Sequence, residues 1–288
     1  MIDVILGILC FNVILIFFKL LEKYKVDNLQ AISFNYLTAG ILSLSLTSRS
    51  YSIHEIVDSS WIYCAVGVGI LFIVVFNLLA TAAQKIGMAI STVANKMSLV
   101  IPVIAAIILF DETVSILKII GILLALVGVY LTSTTGNKLN FDKKYLGLIL
   151  IIFFGQGLAD VLFNLAEKYY VGENELGIFF CVLFAAAGTT GIFMLLPKFI
   201  NGTSKFELKN MLWGIALGVP NFLTLWFFFR SLGSGDLESS QVYPIYNIGV
   251  VAISAIIGFL IFKEKLSRSN WLGVLLSALA ILAIGFGA

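Results

Sequence analysis

Residues 91–112 read STVANKMSLVIPVIAAIILFDE, from Ser91 to Glu112. This is an apolar run of membrane length, with Lys96 about a third of the way in and Pro102 six residues later. An ammonium in the hydrocarbon layer costs roughly 2.5–3.5 kcal/mol even on insertion scales, so such a residue faces a cavity or a partner. The stretch has an echo. Adding 152 to each number lays it over Asn247 to Glu264, NIGVVAISAIIGFLIFKE, which pairs Asn95 with Asn247, Ile101 with Ile253, Phe110 with Phe262 and Glu112 with Glu264. The match continues with Ser115 on Ser267 and Gly121 on Gly273. A membrane unit has been duplicated, and one copy alone carries the lysine.

The whole chain is of this character. Its 288 residues are 60% hydrophobic and 12% charged, with a mean hydropathy of +1.05, against roughly 25% charge in soluble domains. A net charge of +2 without a basic tract excludes nucleic-acid binding. Cys10, Cys64 and Cys181 sit far apart inside apolar segments and read as packing residues. Ile2-Asp3 opens a segment with neither a basic leader nor a cleavage site, so it reads as a retained helix. No P-loop, zincin motif, nucleophile elbow or metal spacing is present, and no enzyme or cofactor is expected.

A spanning helix needs about 20 apolar residues, and ten such spans are expected: 2–21, 29–48, 61–83, 88–110, 115–134, 145–166, 176–197, 210–229, 238–262 and 270–286. Spans one and six also end alike, Phe18 to Tyr24 against Phe163 to Tyr169, with five identities in seven. The chain therefore divides into a first unit at 1–134, a polar link at 135–144 and a second unit at 145–288. Five spans is an odd number, so the second unit enters the membrane inverted. The expected fold is an all-α polytopic membrane protein of ten transmembrane helices in two inverted five-helix repeats, the architecture of secondary transporters.

The Phe-Asp-Glu at 110–112, the Phe-Lys-Glu at 262–264 and the Gly-x-Leu-Leu at Gly121 and Gly273 resemble the EamA branch of the drug/metabolite transporter superfamily. The resemblance covers the whole chain. It implies transport of amino acids, nucleotide sugars, phosphorylated sugars or other metabolites. Lysine inside span four is similar to the phosphate-sugar and nucleotide-sugar branches, whose second basic residue, in span nine, is missing here.

Polar residues inside the spans mark the candidate substrate site. Lys96, beside Asn95, lies about 12 Å into span four at 1.5 Å per residue. Asp160 shares one face of span six with Gln156 and Asn164 at spacings of four. Its depth of roughly 22 Å puts it on the order of 10 Å from the level of Lys96, so a direct ion pair would need helix tilt. A cavity with a cation near one end and an acid near the other is the alternative. Span nine adds Tyr243, Tyr246 and Asn247 around Pro244, which frees a backbone carbonyl. Asn12, Asn77 and Asn221 read as single bonds between helices.

Substrate-binding residues are thus expected at Asn95, Lys96, Gln156, Asp160, Asn164, Tyr243, Tyr246 and Asn247. Lys96 favours an anionic group unless it snorkels to headgroups or is tied to a structural acid. Asp160 is a candidate for loading and releasing a proton, the alternative being a carboxyl that only hydrogen-bonds neighbouring helices. The partners expected are the lipid bilayer, a small-molecule substrate and protons. The Gly121-x-x-x-Ala125 and Gly273-x-x-x-Ser277 faces suit close helix packing, including pairing of two copies. The protein is expected in the cell (inner) membrane. Thirteen Lys/Arg fall on odd-numbered links and four, Arg49, Lys118, Lys168 and Arg230, on even ones. The positive-inside rule then puts both termini outside, whereas the family resemblance implies both inside. A membrane interaction protein or sensor on the same fold is the alternative to a transporter.

Overall fold

A computed structural model describes residues 1–47, 49–86, 95–110, 115–133, 145–235, 237–261 and 267–286. Among the described residues the regular structure is entirely helical. The long helices are α1 (Ile2–Lys23), α2 (Asn28–Leu44), α3 (Ile62–Ile86), α4 (Val100–Phe110), α5 (Ile116–Ser133), α6 (Leu146–Leu165), α7 (Leu176–Ile200), α8 (Leu208–Gly233), α9 (Ser239–Leu260) and α10 (Arg268–Phe286). A single turn of helix at Ile53–Val57 follows α2, and a π-helical turn, Ala166–Tyr170, extends α6. The link 135–144 and the Phe-Asp-Glu and Phe-Lys-Glu acids lie outside the described residues.

Helix ends follow local chemistry. Asp27 caps α2 by accepting from the backbone N–H groups of Leu29 and Gln30. The helix stops at Leu44 rather than at 48, where the Ser45 hydroxyl donates to the Leu42 carbonyl and satisfies a last-turn acceptor. In the following link, Ser52 and Glu55 form a reciprocal cap, and Glu55 pairs with Arg49 at 3.0 Å. The Ser52 N–H donated to it, ahead of Arg49, holds the Glu55 carboxyl below its ordinary range.

Four helical stretches are long and apolar enough to cross a membrane: Ile62–Leu79, Leu146–Tyr170, Leu176–Ile200 and Leu208–Gly233. Shorter apolar stretches, largely helical, run over Ile2–Phe18, Asn95–Phe110 (interrupted by a turn at 98–99), Ile116–Gly128 and Trp271–Ala280. Large apolar side chains cover the outside, among them Ile108 and Phe193, each 69% exposed. This is a surface that lipid solvates and water does not.

Without a water-driven force between helices, packing relies on close approach and on polar contacts. Helix α2 lies between α7 and α8, α3 between α6 and α7, and α1 between α8 and α9; α4 rests on α6 and α9, and α5 on α10 and α9. Small residues set these distances. A Cβ on Gly218 would come 2.6 Å from that of Thr38, so glycine lets α8 meet α2. Gly121 and Ala125 are buried within the chain, on the helix that packs most extensively against α10. At the centre the Phe163 ring meets Phe179, Phe180, Phe228 and Phe229 at 5.2–6.3 Å between centroids. Of the Phe227–Phe229 run, Phe228 and Phe229 are therefore core.

Asn12 differs from expectation, its amide donating to the Ile8 carbonyl four residues back on its own helix. The Asn77 amide likewise donates to the Ile73 carbonyl on its own helix. A short side chain reaches its own preceding turn more readily than a neighbouring helix.

Candidate functional site

The site is built on an irregularity. Span four does not run as one helix: residues 95–97 are helical, 98–99 form a turn, and α4 starts at Val100. Pro102 has no N–H to give the Ser98 carbonyl, and the Ile101 N–H takes it instead at 2.9 Å, a tighter turn. Residues 88–94 of the expected span lie outside the described residues. Irregular backbone at membrane depth persists where it is buried in protein or lines a cavity. By contrast, α9 runs through Pro244 without a break.

Consecutive residues at this turn point to different helices. The Asn95 amide donates to Gln156 Oε1 on α6 at 3.1 Å. The Lys96 ammonium donates to Asn247 Oδ1 on α9 at 3.3 Å and lies 4.3 Å from the centroid of the Phe11 ring on α1. Gln156 passes the contact on, its Nε2 donating to Asp160 Oδ1 at 3.0 Å. The Tyr243 hydroxyl donates to the Asp160 carbonyl at 2.6 Å, and the Asn247 amide donates to the Tyr243 carbonyl at 3.0 Å. The hydrogen bonds thus form a ring through the Asn95–Lys96 turn, α6 and α9.

Gly157 permits this approach of α4 to α6, because a Cβ there would stand 2.7 Å from the Cβ of Ile101. Lys96 is only 8% exposed. Among the described residues it makes no ion pair, although Asp160 is near enough for its charge to be felt.

Six of the eight expected residues, Asn95, Lys96, Gln156, Asp160, Tyr243 and Asn247, thus belong to one network. Tyr246 stands beside it: its ring contacts Phe11 and Phe228, and its hydroxyl donates to the Gly7 carbonyl at 3.2 Å. Asn164 does not join them. It accepts from the Ser239 hydroxyl at 3.0 Å, a helical turn beyond Asp160.

Two features escaped the sequence. Phe11 is an ordinary apolar residue by type, yet the repeat register of spans one and six, 145 positions, sets it opposite Gln156. Lys118 was assigned to a link, but it lies inside α5 with its side chain 1% exposed and pairs with Glu238 at the start of α9. The signal was present as Ile116-Leu117-Lys118-Ile119-Ile120, a cation with apolar residues on both sides. One of the four cations counted on even-numbered links is therefore interior.

An apolar helical assembly with charge and amides buried at its centre is an integral membrane protein with a polar interior. Comparison with known proteins narrows the class: the chain belongs to the EamA-like transporter family, whose model matches residues 1–134 and 173–286. It is 33% identical over 292 residues to an uncharacterized protein of Haemophilus influenzae (strain ATCC 51907 / DSM 11121 / KW20 / Rd), covering 98% of this chain and 97% of that one. One crystal structure has a similar fold, with a TM-score of 0.78 at 12% identity over 98% of this chain and 94% of the other.

Proposed function

We propose that the chain is a secondary transporter of a small polar or anionic metabolite. Ten transmembrane helices in two inverted five-helix repeats would expose the Lys96 network to one side of the membrane and then the other. Packing supports a two-fold pairing of the repeats, and the odd number of spans in each is what makes the second inverted. Exchanging the repeats turns α1 on α8 into α6 on α3, and α2 on α8 into α7 on α3; it turns α1 on α9 into α6 on α4. The contacts α2–α7, α4–α9 and α5–α10 each join a helix to its own counterpart.

The observation that carries the site is the pair of partners around Lys96. An amide oxygen and an aromatic ring solvate the ammonium but leave its charge in place. A carboxylate or phosphate on the substrate would cancel that charge in a low-dielectric interior, where the attraction is strong. Amino acids, organic acids and phosphorylated or nucleotide sugars meet this requirement. Asp160, held through Gln156 in the same network, is the group that would take and release a proton over the cycle.

Purified protein in proteoliposomes is then expected to catalyse substrate counterflow. Absence of counterflow across a wide metabolite panel, with stoichiometric copurification of a protein partner, would replace this reading with that of a non-transporting interaction protein or sensor.

A further inference from the structure

We propose that the Lys118–Glu238 ion pair locks a gate on the membrane side where α1 begins, and that the two positions related to it by the repeat carry no such pair. The inference rests on the alternating-access reading above. The pair ties the first turn of α5 to the residue that caps α9. One residue further on, the Ser239 hydroxyl binds Asn164 of α6, so three helices are fastened at one level.

That level lies immediately beyond the polar network. Asp160 is one turn from Asn164 on α6, and Tyr243, which holds the Asp160 carbonyl, is one turn from Ser239 on α9. Opening the network toward this side requires α9 to part from α5 and α6 here.

The two halves of the pair differ in exposure, which says how the lock releases. The Lys118 side chain is 1% exposed and that of Glu238 is 31% exposed. Glu238 is already partly exposed at the surface of the bundle, whereas Lys118 becomes exposed only after the helices separate. Neutralising either partner removes the attraction that draws α5 and α9 together at this point.

The repeat register shows the asymmetry. A shift of 152 carries Lys118 onto Asn270 and Glu238 onto Ile86. An amide and an alkyl chain cannot form an ion pair, so the gate formed by the other copy closes without this lock.

The test needs no substrate. In a background with Cys10→Ser, Cys64→Ser and Cys181→Ser, the near-isosteric Ser240→Cys places a thiol in the fully buried position two residues from Glu238. A membrane-impermeant maleimide is applied from the side where α1 begins. Glu238→Gln keeps size while deleting the charge, and it is expected to speed labelling by about tenfold through a shift toward the open state. Lys118→Met is expected to do the same, and Glu238→Asp to stay slow.

Unchanged labelling in both neutral variants overturns the lock. So does equally fast labelling in Glu238→Asp, which would show that shape and not charge closes this side. Should Lys118→Met fail to fold, the comparison of Glu238→Gln with Glu238→Asp decides alone. Labelling that follows the charge, in a protein that shows no counterflow, keeps the gate and removes the transporter reading.

Discussion

The Lys96 ammonium stands over the ring of Phe11, 4.3 Å from its centroid, with an amide oxygen from Asn247 as its hydrogen-bond partner. In the proposed transporter, this is the charge that an anionic group of the substrate would meet. Lys96→Ala is expected to abolish or reroute counterflow, while Lys96→Arg retains part of it, because the guanidinium keeps the charge in a different shape. Normal uptake by a well-expressed Lys96→Ala protein would remove this residue from the site.

Asp160 makes a second test. Asp160→Asn preserves the bond from Gln156 and the carbonyl bond from Tyr243 while fixing the side chain in a neutral form. Exchange without a gradient is expected to persist, and acceleration by an imposed pH gradient to vanish. Retained acceleration, read by uptake with and without the gradient, would assign coupling elsewhere.

Close approach at Gly157 is a condition for the network. Gly157→Ala drives a Cβ into Ile101, and overpacking of this kind costs about 1–3 kcal/mol. A lower Tm in detergent is expected, with partial recovery when Ile101→Ala is added. Additive losses in the double variant would show that the two residues do not oppose each other.

On the opposite side, Gln30 is 1% exposed and makes four hydrogen bonds. Its amide nitrogen donates to Ser204 Oγ and the Lys205 carbonyl, and its oxygen accepts from the Glu207 N–H and Asn210 Nδ2. Gln30→Leu strands these groups, and about 2–3 kcal/mol of stability should be lost. A lower midpoint of thermal unfolding in detergent, followed by light scattering, checks the direction.

Orientation is decided by a reporter active only in the cytoplasm. On the charge count it should be dark when fused after Ala288 and bright when fused within 135–144. Reversed signals would place both termini inside, as the family resemblance implies, and the burial of Lys118 already weakens the count by one residue.

The sequence by itself determined the class and pointed to a repeated unit. Apolar runs of membrane length are a property of neighbouring residues, and the 152-residue echo that sets Asn95 opposite Asn247 needs no coordinates. It also singled out Lys96, Gln156, Asp160, Tyr243 and Asn247, since a polar group inside such a run is costly wherever it points. What a side chain meets was decided only by tertiary structure. Lys118 and Glu238 are 120 positions apart, and Asn164 turns to Ser239 instead of extending the Gln156–Asp160 contact. A lysine three residues into α5 has the same local hydropathy whether it snorkels to headgroups or is sealed against another helix. The difference lies in how the helices cross, which residues such as Gly157 and Gly218 set by permitting contact at one place and not another. Phe11 shows the same limit: its apolar type fits lipid, core or the wall of a charged site, and its position against Lys96 follows from α1 and α4 both packing on α9.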